Sequence, residues 1–280
     1  MGLVTGTGVA SLAIRDLMRG PCRPGKVLAV LPQAVYLEFP DSAPEPRVIA
    51  LSPPDAIRLP NSIVTTHPRD GLEPGVHAEA GEGQVTAADL TVRITRWWDP
   101  SPVFGPLSRA RLDHGAVALA RHYQAAEHPS GLAGHDGPAE LAACCASGDL
   151  AGAVETAEIL TGLGPGLVPS GDGIVCGILL ALRLLGGVIS GGTRAVWLAD
   201  WLSAAATCYA EQRTTALATA LLHCAASGQA AAEVSAVLLG MAGLEPLEPA
   251  AKRLLTDTAG ADLAWGLAAG CQAALTLSVS

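Results

Sequence analysis

Hydrophobic and polar residues alternate through the first third of the chain, a spacing typical of short β-strands. Proline-rich turns separate the apolar runs between residues 26 and 96. Strands are predicted at residues 27–31, 35–39, 48–51, 63–66, 76–80 and 90–94. We expect them to pair antiparallel in a small sheet or barrel. A short helix is expected before them, within residues 1–20, with Leu12, Ala13 and Leu17 on one side.

Beyond Pro106 the apolar spacing changes to three and four residues, which predicts α-helices. The predicted helices cover residues 107–126, 138–147, 150–160, 173–185, 194–227, 230–241 and 260–277. The sequence therefore predicts an α+β protein with a small β-rich N-terminal part, residues 1–102. A mainly helical domain, residues 103–280, follows and carries a Gly-rich loop.

Composition and charge exclude several classes of protein. Half of the residues are hydrophobic and only 15% are charged, which excludes disorder over most of the chain and favours contact with another chain. The formal charge of −9 and the lack of a basic run longer than two residues argue against nucleic-acid binding. Because Arg183 interrupts the most apolar stretch and no signal peptide is evident, we expect a cytoplasmic protein without a membrane span.

Cysteine and histidine spacings give no sign of a metal site. The seven cysteines include no C-x-x-C pair and are expected to be buried thiols. The histidines follow no established ligand spacing. We therefore predict no cofactor and no metal ligand; Mg²⁺ is possible, but no motif requires it.

The most distinctive motif is the glycine- and proline-rich segment 161–173, between two predicted helices. Gly164, Gly166 and Gly171 are candidates for close approach to a ligand, and Ser170 is a candidate N-cap of the following helix, where backbone N–H groups favour an anion. Asp172 would repel an anion, so it fits better as a Mg²⁺ ligand, a general base or an acceptor for a substrate amide. A rigid helix connector is the alternative interpretation of the whole segment.

Two further motifs carry candidate binding residues. Arg213 and Thr214, within Gln-Arg-Thr-Thr, could hold a phosphate or carboxylate, or could belong to an ordinary Glu–Arg pair. Thr258, Gly260 and Asp262 open the last predicted helix and repeat the pattern of small, hydroxyl and carboxylate residues. Acidic residues are also common at helix starts for electrostatic reasons alone.

Together these three motifs resemble those of the AllH family, whose members are a subunit of oxamate carbamoyltransferase. The resembling segments are residues 162–172, 212–215 and 258–266, and the N-terminal half is similar in layout. The chain differs from the usual family pattern at Val168, Gly173, Asp257 and Ala259.

The resemblance implies carbamoyl transfer between carbamoyl phosphate and a small amide such as oxamate, a step of purine and allantoin catabolism. It also implies partner subunits of the AllG and FdrA type and a small anionic substrate. Ser170, Asp172 and Asp262 would then be catalytic. The substrate-binding residues would be Gly164, Gly166, Gly171, Arg213, Thr214, Thr258 and Gly260.

Two other hypotheses compete with the carbamoyltransferase interpretation. One is a non-catalytic sensing or scaffold subunit that binds a phosphate or carboxylate at the Gly-rich loop. The other is a Mg²⁺–nucleotide enzyme, which no motif here requires.

Overall fold

A computed structural model describes residues 4–42, 44–66 and 71–278 and divides the chain into two compact units, Met1–Pro100 and Ser101–Ser280. The first unit is a closed eight-stranded barrel and the second is helical, which confirms the predicted α+β fold. None of the described helices is long and apolar enough to cross a membrane.

The strands of the barrel are short, and three of their seven connections are two-residue turns. They are β1 (Val4–Ser11), β2 (Arg23–Leu31), β3 (Ala34–Glu38), β4 (Val48–Ser52), β5 (Ser62–Thr65), β6 (His77–Gly81), β7 (Gln84–Ala87) and β8 (Leu90–Trp98). Around the barrel they follow the order β1-β5-β4-β3-β2-β6-β7-β8. Every second side chain points inward, and Phe39, Leu37, Ile49 and Ile63 are fully buried there.

The purely antiparallel pairing predicted for the strands is wrong at two places. β1 pairs parallel with β8, and β4 pairs parallel with β5. Alternation of side chains is the same in both kinds of ladder, so it carries no information on strand direction. The prediction also missed β1, whose Gly6 and Gly8 weaken the strand pattern. A short helix, α1 (Arg15–Arg19), does follow within the first twenty residues.

The second unit contains ten helices among the described residues. They are α2 (Arg109–Gln124), α3 (Asp136–Ser147), α4 (Leu150–Leu160), α5 (Ser170–Leu180), α6 (Thr193–Cys208), α7 (Ala210–Arg213), α8 (Ala216–Ala226), α9 (Ala232–Met241), α10 (Leu247–Leu254) and α11 (Thr258–Leu277). A π-helical turn, Ala181–Leu185, continues α5.

The single helix predicted over residues 194–227 is wrong, because the chain breaks twice there. Tyr209 leaves the helical conformation between α6 and α7, and Thr214 is extended between α7 and α8. The Thr215 hydroxyl then caps α8 by accepting a hydrogen bond from Ala218 N–H at 3.0 Å. Threonine favours such a cap over a helix interior, a local preference that apolar spacing does not register.

None of the seven cysteines, all of which lie in the described ranges, forms a disulfide, as expected, but not all are buried. Cys145, Cys176, Cys224 and Cys271 lie in the helical core, whereas Cys22 and Cys208 are exposed. Burial raises the pKa of the Cys145 and Cys271 thiols to about 12, so these two stay protonated and inert at neutral pH.

Helices α5 and α11 cross closely through glycines. A Cβ on Gly177 of α5 would lie 2.5 Å from the Leu263 carbonyl oxygen, and one on Gly266 of α11 would overlap the Ile174 carbonyl. At Gly173 the added atom would lie 3.0 Å from Cβ of Asp262. The backbones approach to a distance that leaves no room for side chains, so the N-terminal ends of the two helices lie together.

Gly177→Ala is predicted to lower the free energy of unfolding by about 1–3 kcal/mol, since the new methyl group must push the backbones apart. Alanine normally favours a helix over glycine by about 0.5–1 kcal/mol, so the expected sign is opposite to that of helix propensity. Urea unfolding measures the change. Gly105→Ala is the control, because its Cβ would meet nothing within 4 Å. Equal stability of the two variants would contradict the close crossing.

Candidate functional site

The glycine-rich segment forms a folded loop between α4 and α5. Gly162, Gly164 and Gly166 have φ values of 81°, 117° and 95°, which side-chain-bearing residues rarely adopt. The loop closes on itself where Gly171 N–H donates to the Leu163 carbonyl at 2.9 Å. The path is therefore fixed by backbone geometry, and its outermost residues, 164–166, face solvent.

Asp172 ties this loop to the junction between α7 and α8. Its carboxylate is fully buried and accepts a hydrogen bond from Gly162 N–H at 3.1 Å on Oδ1. The Thr214 hydroxyl donates to Oδ2 at 2.6 Å. Both oxygens are thus engaged, one by the start of the loop and the other by the junction.

Asp262, in α11, holds a second loop, residues 127–135 between α2 and α3, by hydrogen bonds. Its Oδ1 accepts hydrogen bonds from the Ser130 hydroxyl at 2.6 Å and from Gly131 N–H at 3.0 Å. The Ser170 hydroxyl, at the start of α5, lies close enough to this carboxylate to lower its pKa. Asp262 is 1% exposed, so one buried group joins α11, α5 and the loop.

Ser170 lies where the two loops meet. A Cβ on Gly131 would collide with Ser170 Oγ, and one on Gly164 would lie 2.9 Å from Ser170 N. The predicted N-cap role of Ser170 is wrong: α5 begins at Ser170, and Pro169 precedes it without a side-chain cap. The Ser170 hydroxyl is therefore not used as a cap and faces the Asp262 carboxylate instead.

The other backbone N–H groups of the loop are available to a ligand. Within the described part of the chain, the N–H groups of Gly164, Gly166 and Leu167 donate no hydrogen bond. Gly166 has open space around it. Donors of this kind suit a phosphate or a developing oxyanion.

Arg213 faces α4 rather than the carboxylates. Its guanidinium donates to the Glu158 carbonyl at 2.8 Å and to Glu158 Oε2 at 3.0 Å. The ion pair is more than a third exposed, so solvent screens it. The ordinary Glu–Arg pair weighed from the sequence is present, although its acid is Glu158 on a different helix.

The third motif lies at the start of α11, as expected. Asp257 caps this helix by accepting a hydrogen bond from Gly260 N–H at 2.8 Å. Thr258 is exposed. A Cβ on Gly260 would overlap the Leu254 carbonyl, which gives this glycine a packing role.

Burial dominates the electrostatics of both carboxylates. Desolvation raises the pKa of Asp172, and the hydrogen bonds from Thr214 and Gly162 partly offset it. Desolvation likewise raises the pKa of Asp262 against the hydrogen bonds from Ser130, Ser170 and Gly131. In the described ranges neither carboxylate pairs with a lysine or arginine. Raised pKa values suit a group that accepts a proton during a reaction.

No cluster of three or more His, Cys, Asp or Glu side chains able to hold a metal ion occurs among residues 4–42, 44–66 and 71–278. Hydroxyl and backbone donors surround the two aspartates instead, and such donors satisfy a carboxylate rather than coordinate a cation. The expectation of no cofactor stays a prediction.

Ser130 and Gly131 were missed by the sequence analysis, which singled out neither. One signal could have found them. The tripeptide Pro-Ser-Gly occurs at residues 129–131 and again at residues 169–171. Both serine hydroxyls reach the same carboxylate, that of Asp262.

A family model described as oxamate carbamoyltransferase subunit AllH matches residues 160–271 of the chain. The resemblance identified from the motifs is confirmed over this range, which contains both aspartates and Ser170. Ser130 and the barrel lie outside it. No curated protein and no solved structure matches the chain.

The raised pKa of Asp172 gives a pH-dependent prediction. Because the folded protein binds this proton more tightly than the unfolded chain, the contribution of Asp172 to stability falls as the pH rises from 3.8 through the raised pKa. Asp172→Asn lacks this titration. The unfolding free energy of the parent minus that of Asp172→Asn is therefore expected to decrease over this window and then level off.

Urea unfolding between pH 3.5 and 7 measures this difference, with Asp55→Asn as a control that removes a charge from an exposed position. A difference that increases with pH would mean that the hydrogen bonds outweigh desolvation, and the account of Asp172 would be wrong.

Proposed function

We propose that this chain is a ligand-binding subunit of a carbamoyltransferase-type enzyme, with its site at the glycine loop above Ser170. The family match supports the role of subunit. The substrates, carbamoyl phosphate and a small amide such as oxamate, are part of the proposal, as are partner subunits of the AllG and FdrA type.

The observation that carries the proposal is the convergence of separate motifs on two buried carboxylates. Asp172 accepts hydrogen bonds from Gly162 and Thr214. Asp262 accepts hydrogen bonds from Ser130 and Gly131 and lies close to the Ser170 hydroxyl. Neither carboxylate has a basic partner among the described residues, so burying the two costs free energy. A segment that only connected two helices would gain nothing in return for this cost.

The charges favour one orientation of carbamoyl phosphate. The buried carboxylates repel a phosphate, so the phosphate end lies on the exposed arch of residues 164–166, against its unused N–H groups. The carbamoyl end, whose NH₂ group donates hydrogen bonds, faces Ser170. This arrangement positions the reactants and stabilises oxygen charge without a cofactor.

The transfer step needs one base. The nitrogen of the acceptor amide attacks the carbamoyl carbon, the bond to the phosphate oxygen breaks, and inorganic phosphate leaves with that electron pair. The attacking nitrogen loses a proton, which Asp262 accepts through the Ser170 hydroxyl. Asp172, with both oxygens engaged, acts as a positioning residue for the loop, and Arg213 holds α7 against α4.

A non-catalytic sensing subunit is the second candidate. The near-complete burial of both aspartates favours it, since a sensor needs a shaped loop but no accessible base. In that case ligand binding would depend on the loop and not on the ionisation of Asp262.

Ser170→Ala is predicted to weaken the binding of carbamoyl phosphate at least about tenfold, because it removes the hydroxyl that faces the carbamoyl group. Thermal shift and calorimetry measure the binding, since a ligand at 100 times its Kd adds about 2.7 kcal/mol of stability. Ser147→Ala is the matched control, an exposed serine whose hydroxyl bonds only to its own helix.

Equal binding by Ser170→Ala and Ser147→Ala would contradict the proposed site. If Ser170→Ala weakens binding while Asp262→Asn leaves both binding and turnover of the reconstituted complex unchanged, the sensing subunit is correct and the catalytic role is wrong.

A further inference from the structure

The barrel carries a polar cleft that the proposed function does not use. Its volume is about 420 Å³, within the range of small-molecule sites. The described residues that line it are Thr5, Gly6, Thr7, Thr66 and Arg93. None of them is acidic.

Strand register explains why these side chains lie together. The parallel ladder of β1 and β8 places Thr7 opposite Arg93. On the other side of β1, Gly8 pairs with Thr65, so Thr66 is next to Thr7. Thr5, Thr7 and Arg93 are exposed and occupy alternate positions facing away from the core. A guanidinium and three hydroxyls thus lie together at β8, β1 and the residue that follows β5.

These donors have no acceptors in the part of the chain that the structure describes. Arg93 forms no ion pair or hydrogen bond there, and neither do the hydroxyls of Thr5, Thr7 and Thr66. Several other basic residues of the barrel unit are engaged. Lys26 pairs with Glu38, Arg47 pairs with Glu45, Arg23 donates to the Asp41 carbonyl, and Arg58 stacks on Trp98.

We propose that this cleft binds the phosphoryl group of a small phosphate monoester. Arg93 offers two parallel N–H groups to two phosphate oxygens, and the threonine hydroxyls donate to the others. A phosphoryl group carries more oxygens and more negative charge than a carboxylate, so it can use Arg93 and the additional hydroxyls together, which favours phosphate. The volume leaves room for an organic group attached to the phosphate.

The test uses the full chain and compares Arg93→Gln with Arg96→Gln. Arg96 is exposed on the same strand but does not line the cleft, so it is a matched control for charge. Glycerol 1-phosphate, inorganic phosphate and acetate are titrated by NMR. For both phosphates Kd is expected to rise at least about tenfold in Arg93→Gln and to stay within about twofold of the parent in Arg96→Gln.

Three results would overturn the proposal. Equal losses in Arg93→Gln and Arg96→Gln would indicate general attraction by surface charge. Acetate binding as tightly as phosphate would indicate a carboxylate site. Phosphate binding that Ser170→Ala abolishes and Arg93→Gln leaves intact would place the anion on the glycine loop, a result that supports the proposed function while rejecting this cleft.

A second variant tests the hydroxyls. Thr7→Val keeps the size of the side chain and is expected to weaken phosphate binding at least about threefold while leaving acetate binding unchanged. An equal effect on both anions would contradict the choice of phosphate.

Discussion

The close crossing of α5 and α11 determines where the loops of the helical unit can meet. Glycines at the contact let the backbones approach until a single methyl group would not fit. This brings the first residues of the two helices together, and with them Ser170, Asp172 and Asp262. Each aspartate then finds its hydrogen-bond donors on a different loop, so the geometry of the candidate site depends on the packing of two helices.

Buried carboxylates impose a second requirement on the same region. A carboxylate removed from water needs donors, and here hydroxyls and backbone N–H groups supply them in place of lysine or arginine. As a result, two buried carboxylates lie next to a loop whose exposed residues 164–166 offer backbone N–H groups. In the proposed function, this contrast would distinguish the two ends of carbamoyl phosphate, because one end carries oxygen charge and the other carries N–H donors.

The sequence predicted local features well and spatial ones less well. The glycine loop and most of the strands could be predicted because glycine, proline and alternating apolar residues act over a few positions, whereas the choice between a sheet and a barrel stayed open. Strand direction and the pairing of Arg213 with Glu158 depend on tertiary contacts that spacing does not encode. The break before α8 follows from a local capping preference of threonine, which apolar spacing also does not register. Ser130 is 132 residues from Asp262, and only the folded chain shows that they meet.

Amide hydrogen exchange in Asp262→Ala compared with the parent chain tests the central claim, that this carboxylate holds the loop of residues 127–135 against the start of α5. Exchange is expected to become faster at Gly131, whose N–H loses its acceptor, and across that loop, while the strands of the barrel keep their protection. Unchanged protection at Gly131 in the folded variant would contradict the claim, because the loop would then be held by something other than Asp262.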